Sequence, residues 1–126
     1  MSHVNIAPRF TKTFYLENPL TGDSTPGFYT QEPLTVLEVR GVIIPQTPPG
    51  TPLVSFEIRF APDRDAAGLE VNSTPLLVSS TAAGQAVTIT TAAIPANSHV
   101  WMEIVLATTL LDAPAAFEAT LTAVAS

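Results

Sequence analysis

The chain has 126 residues and a mass of 13.3 kDa, enough for one ordinary domain and too little for two comfortable cores. Apolar residues make up 46% of it and charged residues only 13%, which excludes intrinsic disorder. The 17 Thr, 11 Val and 7 Ile are β-branched, a property that suits a pleated sheet, and 12 Pro interrupt helices. The composition therefore favours an all-β domain.

The net charge of −6 comes with a single lysine, so no basic stripe is available to bind nucleic acid. Cysteine is absent, which excludes a disulfide framework, a thiol nucleophile and a thiolate metal site. No apolar stretch follows positive charge at the start, and no run approaches about 20 apolar residues. We expect neither a signal peptide nor a membrane span, and a protein that is made and folded in the cytoplasm.

Residues 1–33 differ in pattern from residues 34–126, because they contain four prolines and little sustained alternation. The domain division predicted is an extended N-terminal arm over 1–33, with a possible edge strand, and a β-sandwich over 34–126. The possible strand spans Phe10 to Leu16, and one of its faces carries Phe10, Lys12, Phe14 and Leu16. Two interpretations are open: a first strand followed by a long loop, or an arm that lies on a partner.

Two strands with period-2 alternation follow, over residues 36–43 and 54–60. In the first, one face carries Leu37, Val39, Gly41 and Ile43. In the second, it carries Val54, Phe56, Ile58 and Phe60. An antiparallel register with residue numbers summing to 97 would place Glu38 opposite Arg59 and Arg40 opposite Glu57. This pairing predicts a hairpin between the two strands.

The rest of the chain predicts further strands without a convincing helix. Residues 76–81 and 85–91 flank Ala82-Ala83-Gly84, which predicts a second hairpin. A strand over 99–106 has one face made of Val100, Met102, Ile104 and Leu106. The last strand has one face made of Phe117, Ala119, Leu121 and Ala123. Seven or eight strands with negligible helix indicate a single antiparallel β-sandwich of jelly-roll type, with a small barrel as the alternative.

Metal chemistry has few candidate ligands. Neither His3 nor His99 stands at metal spacing with another strong ligand. The group Asp63, Asp65 and Glu70 could offer oxygen atoms to calcium. Arg64 lies inside that group and favours a solvated turn with local ion pairs. We therefore expect no metal and no cofactor.

Catalytic motifs are also missing from the sequence: it has no nucleophile elbow, phosphate loop or dinucleotide fingerprint. The acids Glu38, Glu57, Glu103 and Glu118 alternate along strands and are expected on the solvent side. The triplet Asn72-Ser73-Thr74 matches a glycosylation acceptor, but carries no weight without a secretion signal. The expectation is a protein that is not an enzyme and has no catalytic residues.

Surface apolar residues point to association. Trp101 falls on the polar face of its strand, where it could be a sugar platform, a subunit contact or a ring covered by a neighbouring loop. Val36, Val42 and Ile44 are also expected outward. The candidate partner-interface residues are Ile6, Phe10, Phe14, Tyr15 and Trp101.

A resemblance covers about residues 34–106. The run Val54-Ser55-Phe56-Glu57-Ile58-Arg59-Phe60-Ala61-Pro62-Asp63-Arg64-Asp65-Ala66-Ala67-Gly68 is followed by Val71, then by Ser79-Ser80-Thr81-Ala82-Ala83-Gly84 and by Ile94-Pro95-Ala96-Asn97-Ser98-His99-Val100-Trp101-Met102-Glu103. These segments resemble small β-sandwich structural proteins of tailed bacteriophages, many of them head decoration, cement or fibre components.

This resemblance implies a role in the virion and does not say which part. The leading hypothesis is a non-enzymatic virion protein, assembled in the host cytoplasm, that binds the major capsid protein on the outer capsid surface as a homotrimer and clamps neighbouring capsid subunits. Whether the oligomer is a trimer or a dimer is left open by the sequence. The alternative is a carbohydrate- or receptor-binding module of a phage fibre that uses Trp101, or Tyr15 and Tyr29, on a host-surface glycan. A third hypothesis is a cellular sandwich domain without a viral connection. Nucleic acid and membrane are not expected partners.

Overall fold

The computed structural model describes residues 9–46, 50–73, 76–77 and 84–126. These residues form ten strands and one short 3-10 turn, and none of them lies in an α-helix. The strands are β1 (Arg9–Glu17), β2 (Phe28–Thr30), β3 (Leu34–Pro45), β4 (Val54–Ala61), β5 (Leu69–Glu70), β6 (Leu76–Leu77), β7 (Gln85–Val87), β8 (Ala93–Ile94), β9 (Ser98–Ala107) and β10 (Pro114–Ala125). The predicted all-β class is confirmed.

The strands form two antiparallel sheets that pack face to face. Sheet A has the order β1-β10-β3-β7, and β8 also pairs with β3. Sheet B has the order β2-β9-β4-β5, and β6 also pairs with β4. The predicted sandwich is confirmed. Strands from the start of the chain, such as β1 and β2, pair with strands near its end, β10 and β9, as a jelly roll requires. The jelly-roll subtype stays a prediction.

The core lies between the sheets and follows the predicted alternation on two central strands. On β4, Phe56 and Ile58 are fully buried; on β10, Phe117 and Leu121 are fully buried. The rings of Phe56 and Phe117 meet across the core, with their centroids 5.0 Å apart. Because each large side chain contributes about 1.5–3 kcal/mol when fully buried, these facing rows supply much of the stability.

The first strand belongs to the sandwich. β1 pairs with β10 along its whole length, from Arg9 opposite Val124 to Glu17 opposite Ala116. Phe14 is 4% exposed and is part of the core. The first-strand interpretation is therefore right, and the arm interpretation is wrong for residues 9–17. The boundary predicted at residue 33 does not separate two units, since β1 and β2 are strands of sheets A and B.

The hairpin predicted between residues 36–43 and 54–60 is wrong. β3 lies in sheet A beside β10, and β4 lies in sheet B beside β9. Each charged residue pairs within its own strand instead: Arg40 lies 3.1 Å from Glu38, and Arg59 lies 3.1 Å from Glu57. Opposite charges two residues apart on a strand lie on the same face and can pair with each other.

The second predicted hairpin is also wrong where the structure describes it. β6 pairs with β4 in sheet B, whereas β7 pairs with β3 in sheet A. Ala82 and Ala83 of the predicted turn lie outside the described residues. The chain crosses between the two sheets in this region.

Two β-bulges shift the faces that simple alternation predicts. Glu38 pairs with Thr122 and Val36 with Ala123, which leaves Leu37 as an extra residue on β3. Leu37 is consequently exposed and Val36 is buried, the reverse of the prediction. A bulge at Val105 of β9 has the same effect, since Leu106 is exposed although it was expected inward.

Candidate interaction surfaces

Trp101 is completely buried on the outer side of sheet B. The guanidinium of Arg64 lies over its ring, 4.3 Å from the centroid. Arg64 is itself tethered, since its Nη2 donates to the Thr25 carbonyl at 3.1 Å. The interpretation of a ring covered by a neighbouring loop is confirmed. In this conformation Trp101 offers no surface to a sugar or to a partner subunit, which corrects its place among the interface candidates.

Beside Trp101 lies an ionic cluster of Glu57, Arg59, Glu70 and Glu103. Arg59 contacts Glu57 at 3.1 Å and Glu103 at 3.4 Å. Glu103 also accepts a hydrogen bond from Trp101 Nε1 at 3.0 Å. Glu57 is only 8% exposed, so its predicted place on the solvent side is wrong. The cluster supports the buried tryptophan and is held by contacts within the chain.

Burial raises the pKa of the Glu57 carboxyl above its ordinary value. A hydrogen bond with Glu70 and the negative charges of Glu70 and Glu103 act in the same direction, and Arg59 acts against them. A raised folded-state pKa means that the folded chain holds this proton more tightly than the unfolded chain does. The contribution of Glu57 to stability is therefore greatest below the ordinary carboxyl pKa and is lost as pH rises through the folded-state pKa.

We expect Glu57→Gln to make the free energy of unfolding less dependent on pH, because the glutamine does not titrate. As pH rises from about 4 to about 7, wild type should lose the contribution of Glu57 while the variant does not. The unfolding free energy of the variant should therefore increase relative to that of wild type. Urea denaturation at several pH values measures this. Glu38→Gln is the matched control, since it removes the other intrastrand ion pair from an exposed site. A parallel pH profile for wild type and Glu57→Gln would contradict the prediction.

The suggested calcium ligands are directed to other partners. Asp63 accepts the backbone N–H of Asp65 at 3.0 Å, which forms the predicted polar turn. Glu70 faces the ionic cluster. Across residues 9–46, 50–73, 76–77 and 84–126, no group of three or more His, Cys, Asp or Glu is placed to hold a metal ion.

The glycosylation triplet contains a structural residue. Asn72 is fully buried, accepts the Ile58 N–H at 2.7 Å and donates to the Phe56 carbonyl at 3.0 Å. Its amide therefore supplies hydrogen bonds to the edge of β4 beyond the end of β5. A side chain in this position is not accessible for glycan attachment in the folded chain.

The other predicted interface residues lie in different environments. Ile6 lies outside the described residues. Phe10 is partly buried and packs against the core, in which Phe14 is an integral member. Both rings therefore serve the chain's own sandwich. Tyr15 is 48% exposed on the opposite face of β1 and is the one described member of the set with a largely free ring.

Exposed apolar side chains concentrate at one end of the sandwich, which we call the apolar end. Six of the ten large apolar residues that are exposed among the described residues lie there: Leu20, Ile44, Val105, Leu106, Leu110 and Leu111. A side-chain hydrogen bond and a strand pairing place two of these segments at this end. Thr21 accepts the Ala107 N–H at 3.1 Å, and Ile44 lies opposite Ala116. Ile44 lies on the outer side of sheet A, and Val105 and Leu106 lie on the outer side of sheet B, so the six side chains flank this end from both sides.

Leu110 and Leu111 form the tip of the apolar end and are 87% and 86% exposed. Leu110 has a φ of 59°, a left-handed conformation that costs a leucine about 1–2 kcal/mol. The turn is held by hydrogen bonds from Thr108 Oγ1 to the Asp112 carbonyl at 2.6 Å and from the Thr51 N–H to Asp112 Oδ1 at 2.9 Å. The fold thus holds two leucines outward at a local conformational cost. Sequence reasoning missed this tip, although two adjacent leucines in a loop were a visible signal.

A second surface, which we call the edge cleft, lies between β1 and β2, where the two sheets separate. It has a volume of about 690 Å³ and is lined by Phe10, Thr11, Lys12, Phe28, Tyr29, Thr30, Gln31, Glu32, Leu34 and Ala125. Tyr29 is 48% exposed, donates from its hydroxyl to Asn97 at 3.2 Å and packs edge-on to His99. The ring is therefore fixed in orientation beside polar side chains.

Comparison with known proteins gives no family assignment, since the chain matches no protein-family model and no curated protein. Among the described residues there is no helix with the length and hydropathy needed to cross a bilayer. The two surfaces above are the features from which a function can be argued.

Proposed function

We propose that the chain is a non-enzymatic structural protein of a tailed-phage virion that binds the outer capsid surface as decoration or cement. The observation that carries the proposal is the apolar end, with Leu110 and Leu111 held outward on a hydrogen-bonded turn. Exposed leucines in a fixed geometry bind an apolar partner surface with little loss of conformational freedom on contact. The resemblance of residues 34–106 to virion proteins supports the same role.

In this proposal the apolar end contacts the major capsid protein, and copies of the chain also contact one another. Many copies on one shell make individually weak contacts collectively strong. This role does not require the homotrimer expected from the sequence, since any number of copies that contact one another fits it. No cofactor enters the mechanism, because its energetics are those of buried apolar area.

Co-sedimentation with capsids tests the proposal directly. The major capsid protein encoded in the same genome is assembled into shells, and the full chain is added. We expect wild type to sediment with the shells and the double variant Leu110→Asn, Leu111→Asn to bind at least about 10-fold more weakly. Asparagine tolerates the left-handed backbone at position 110, so the variant should fold.

The matched control is Leu69→Asn. Leu69 is 62% exposed and lies at the opposite end of the sandwich, beside the end of β4. The Leu69→Asn variant should bind the shells as tightly as wild type does. Equal loss in both variants would show non-specific apolar adsorption, and failure of wild type to sediment with the shells would overturn the virion role.

The edge cleft favours a second candidate function, a carbohydrate-binding module. An immobilised tyrosine beside Lys12, Gln31 and Glu32 combines a stacking ring with hydrogen-bonding groups, as sugar sites require. A glycan array with wild type and Tyr29→Ala tests it, with Tyr15→Ala as the control of equal exposure. Binding that survives Tyr29→Ala, or no binding by wild type, would overturn this function.

A further inference from the structure

The edge of β1 is unusual among the outer strands of the described sheets. Nine residues, Arg9–Glu17, pair on one side with β10 without a register shift. The other outer strands are short: β2 and β7 have three residues each and β5 has two. A long edge without a bulge or an internal proline is a template for pairing with another strand.

The backbone groups that face away from β10 can be identified. Asn18 donates its N–H to the Ala115 carbonyl at 2.9 Å, so the even-numbered residues of β1 exchange hydrogen bonds with β10. The hydroxyls of Thr11 and Thr122 lie 3.4 Å apart, as expected for a closely spaced pair without backbone hydrogen bonds. The N–H and C=O groups of the odd-numbered residues therefore point outward along the free edge.

The sequence of β1 is complementary to itself in one antiparallel register centred on Thr13. Arg9 of one copy then lies opposite Glu17 of the other, and Phe10 opposite Leu16, on the same faces as in sheet A. In this register each hydrogen-bonded pair joins an odd-numbered residue of one copy to an odd-numbered residue of the other. The pairs therefore use the outward-facing N–H and C=O groups and form about ten hydrogen bonds. Asn18 turns with a φ of 47°, which ends the paired segment after Glu17.

An inward-pointing lysine can protect an edge against such pairing. Lys12 does not serve that purpose here, because its ammonium lies 5.4 Å from the centre of the Phe28 ring of its own chain. The charge is therefore directed across the edge cleft toward sheet B. Among the strands that the structure describes, none pairs with the outer edge of β1.

We propose that β1 is the contact between two copies of this chain, paired antiparallel about Thr13 so that sheet A continues across a two-fold axis. The proposal does not depend on the virion role. Such a contact closes at two copies, whereas a trimer needs a different surface. Light scattering coupled to size exclusion, on the full chain across micromolar to millimolar concentrations, should give twice the chain mass of 13.3 kDa. A single-copy or three-copy mass at all concentrations would overturn the proposal.

Charge variants test the register. Glu17→Arg places two arginines opposite each other at both ends of the paired strands, and we expect the dissociation constant of the dimer to rise by roughly 10-fold or more. Adding Arg9→Glu restores the complementarity and should restore the wild-type constant. Asp65→Arg makes the same charge change on an exposed turn away from β1 and should leave the dimer unchanged. Failure of the double variant to recover would overturn the register.

A proline variant tests the backbone contact. Thr13→Pro removes an outward N–H at the centre of the edge but no hydrogen bond to β10, so the sandwich should stay folded and become monomeric. A thermal melt of the variant checks the fold. If Thr13→Pro is folded and still dimeric, the β1 contact is excluded. If Thr13→Pro unfolds, the dimer dissociation constants of the Glu17→Arg and Arg9→Glu variants decide whether β1 is the contact.

Discussion

Phe14→Ala is expected to lower the free energy of unfolding by about 3–5 kcal/mol, since it removes a ring from the core between the sheets. Tyr15→Ala is the matched control, because it deletes a neighbouring aromatic ring that is 48% exposed on the opposite face of β1. We expect the control to cost no more than about 1 kcal/mol. Urea denaturation of both variants measures the difference.

The same comparison separates a sandwich strand from a partner-binding arm. If residues 10–16 were an arm, both substitutions would leave the unfolding free energy near that of wild type and would weaken only assembly. Deletion of residues 1–16 should likewise lower the melting temperature by many degrees, since it exposes β10 along its whole length. A truncated chain that melts like wild type would contradict the placement of β1 in sheet A.

Asn72→Leu is expected to destabilise the fold by about 2–4 kcal/mol, because it leaves the buried Ile58 N–H and Phe56 carbonyl without partners. Leucine has the same number and branching of side-chain heavy atoms as asparagine, but it can neither donate nor accept a hydrogen bond. Ser73→Ala is the control: its hydroxyl reaches the Thr88 carbonyl only at 3.5 Å, and we expect a change within about 0.5 kcal/mol. Equal effects in chemical denaturation would show that Asn72 is not a structural hydrogen-bonding residue.

Alternation predicted the inward faces well where the strands are regular. Phe56 and Ile58 on β4, and Phe117 and Leu121 on β10, lie where the period-2 pattern places them. The prediction failed at Leu37 and Leu106, because one extra residue in a strand reverses the faces beyond it. A bulge depends on the partner strand, and a single strand's pattern carries no signal for it.

Strand partners were harder to predict than strands. The charges on β3 and β4 suggested a pairing that satisfied both faces, yet Arg40 and Arg59 contact acids on their own strands. Patterns of charge and hydropathy identify a face but not the neighbour beside it, since many registers satisfy the same alternation. The partner is selected by the fold as a whole, in which β10 lies between β1 and β3.

The candidate surfaces show a similar limit. The alternation of its strand predicts an exposed Trp101. The ring is buried in part because Arg64, far along the chain from Thr25, lies over it and donates to the Thr25 carbonyl. The leucines at 110 and 111 would ordinarily be assigned to a core. Their outward position follows from the turn held by Thr108 and Asp112, which local propensity does not reveal.

The central position of β10 in sheet A has a consequence for when the domain can form during translation. β1 and β3 leave the ribosome before β10, but they do not pair with each other; both pair with β10. Their edges stay open until residues 114–125 have been synthesised and released. The domain is therefore expected to fold only after β10 has emerged, and to fold slowly for its size, because its main pairings join distant segments.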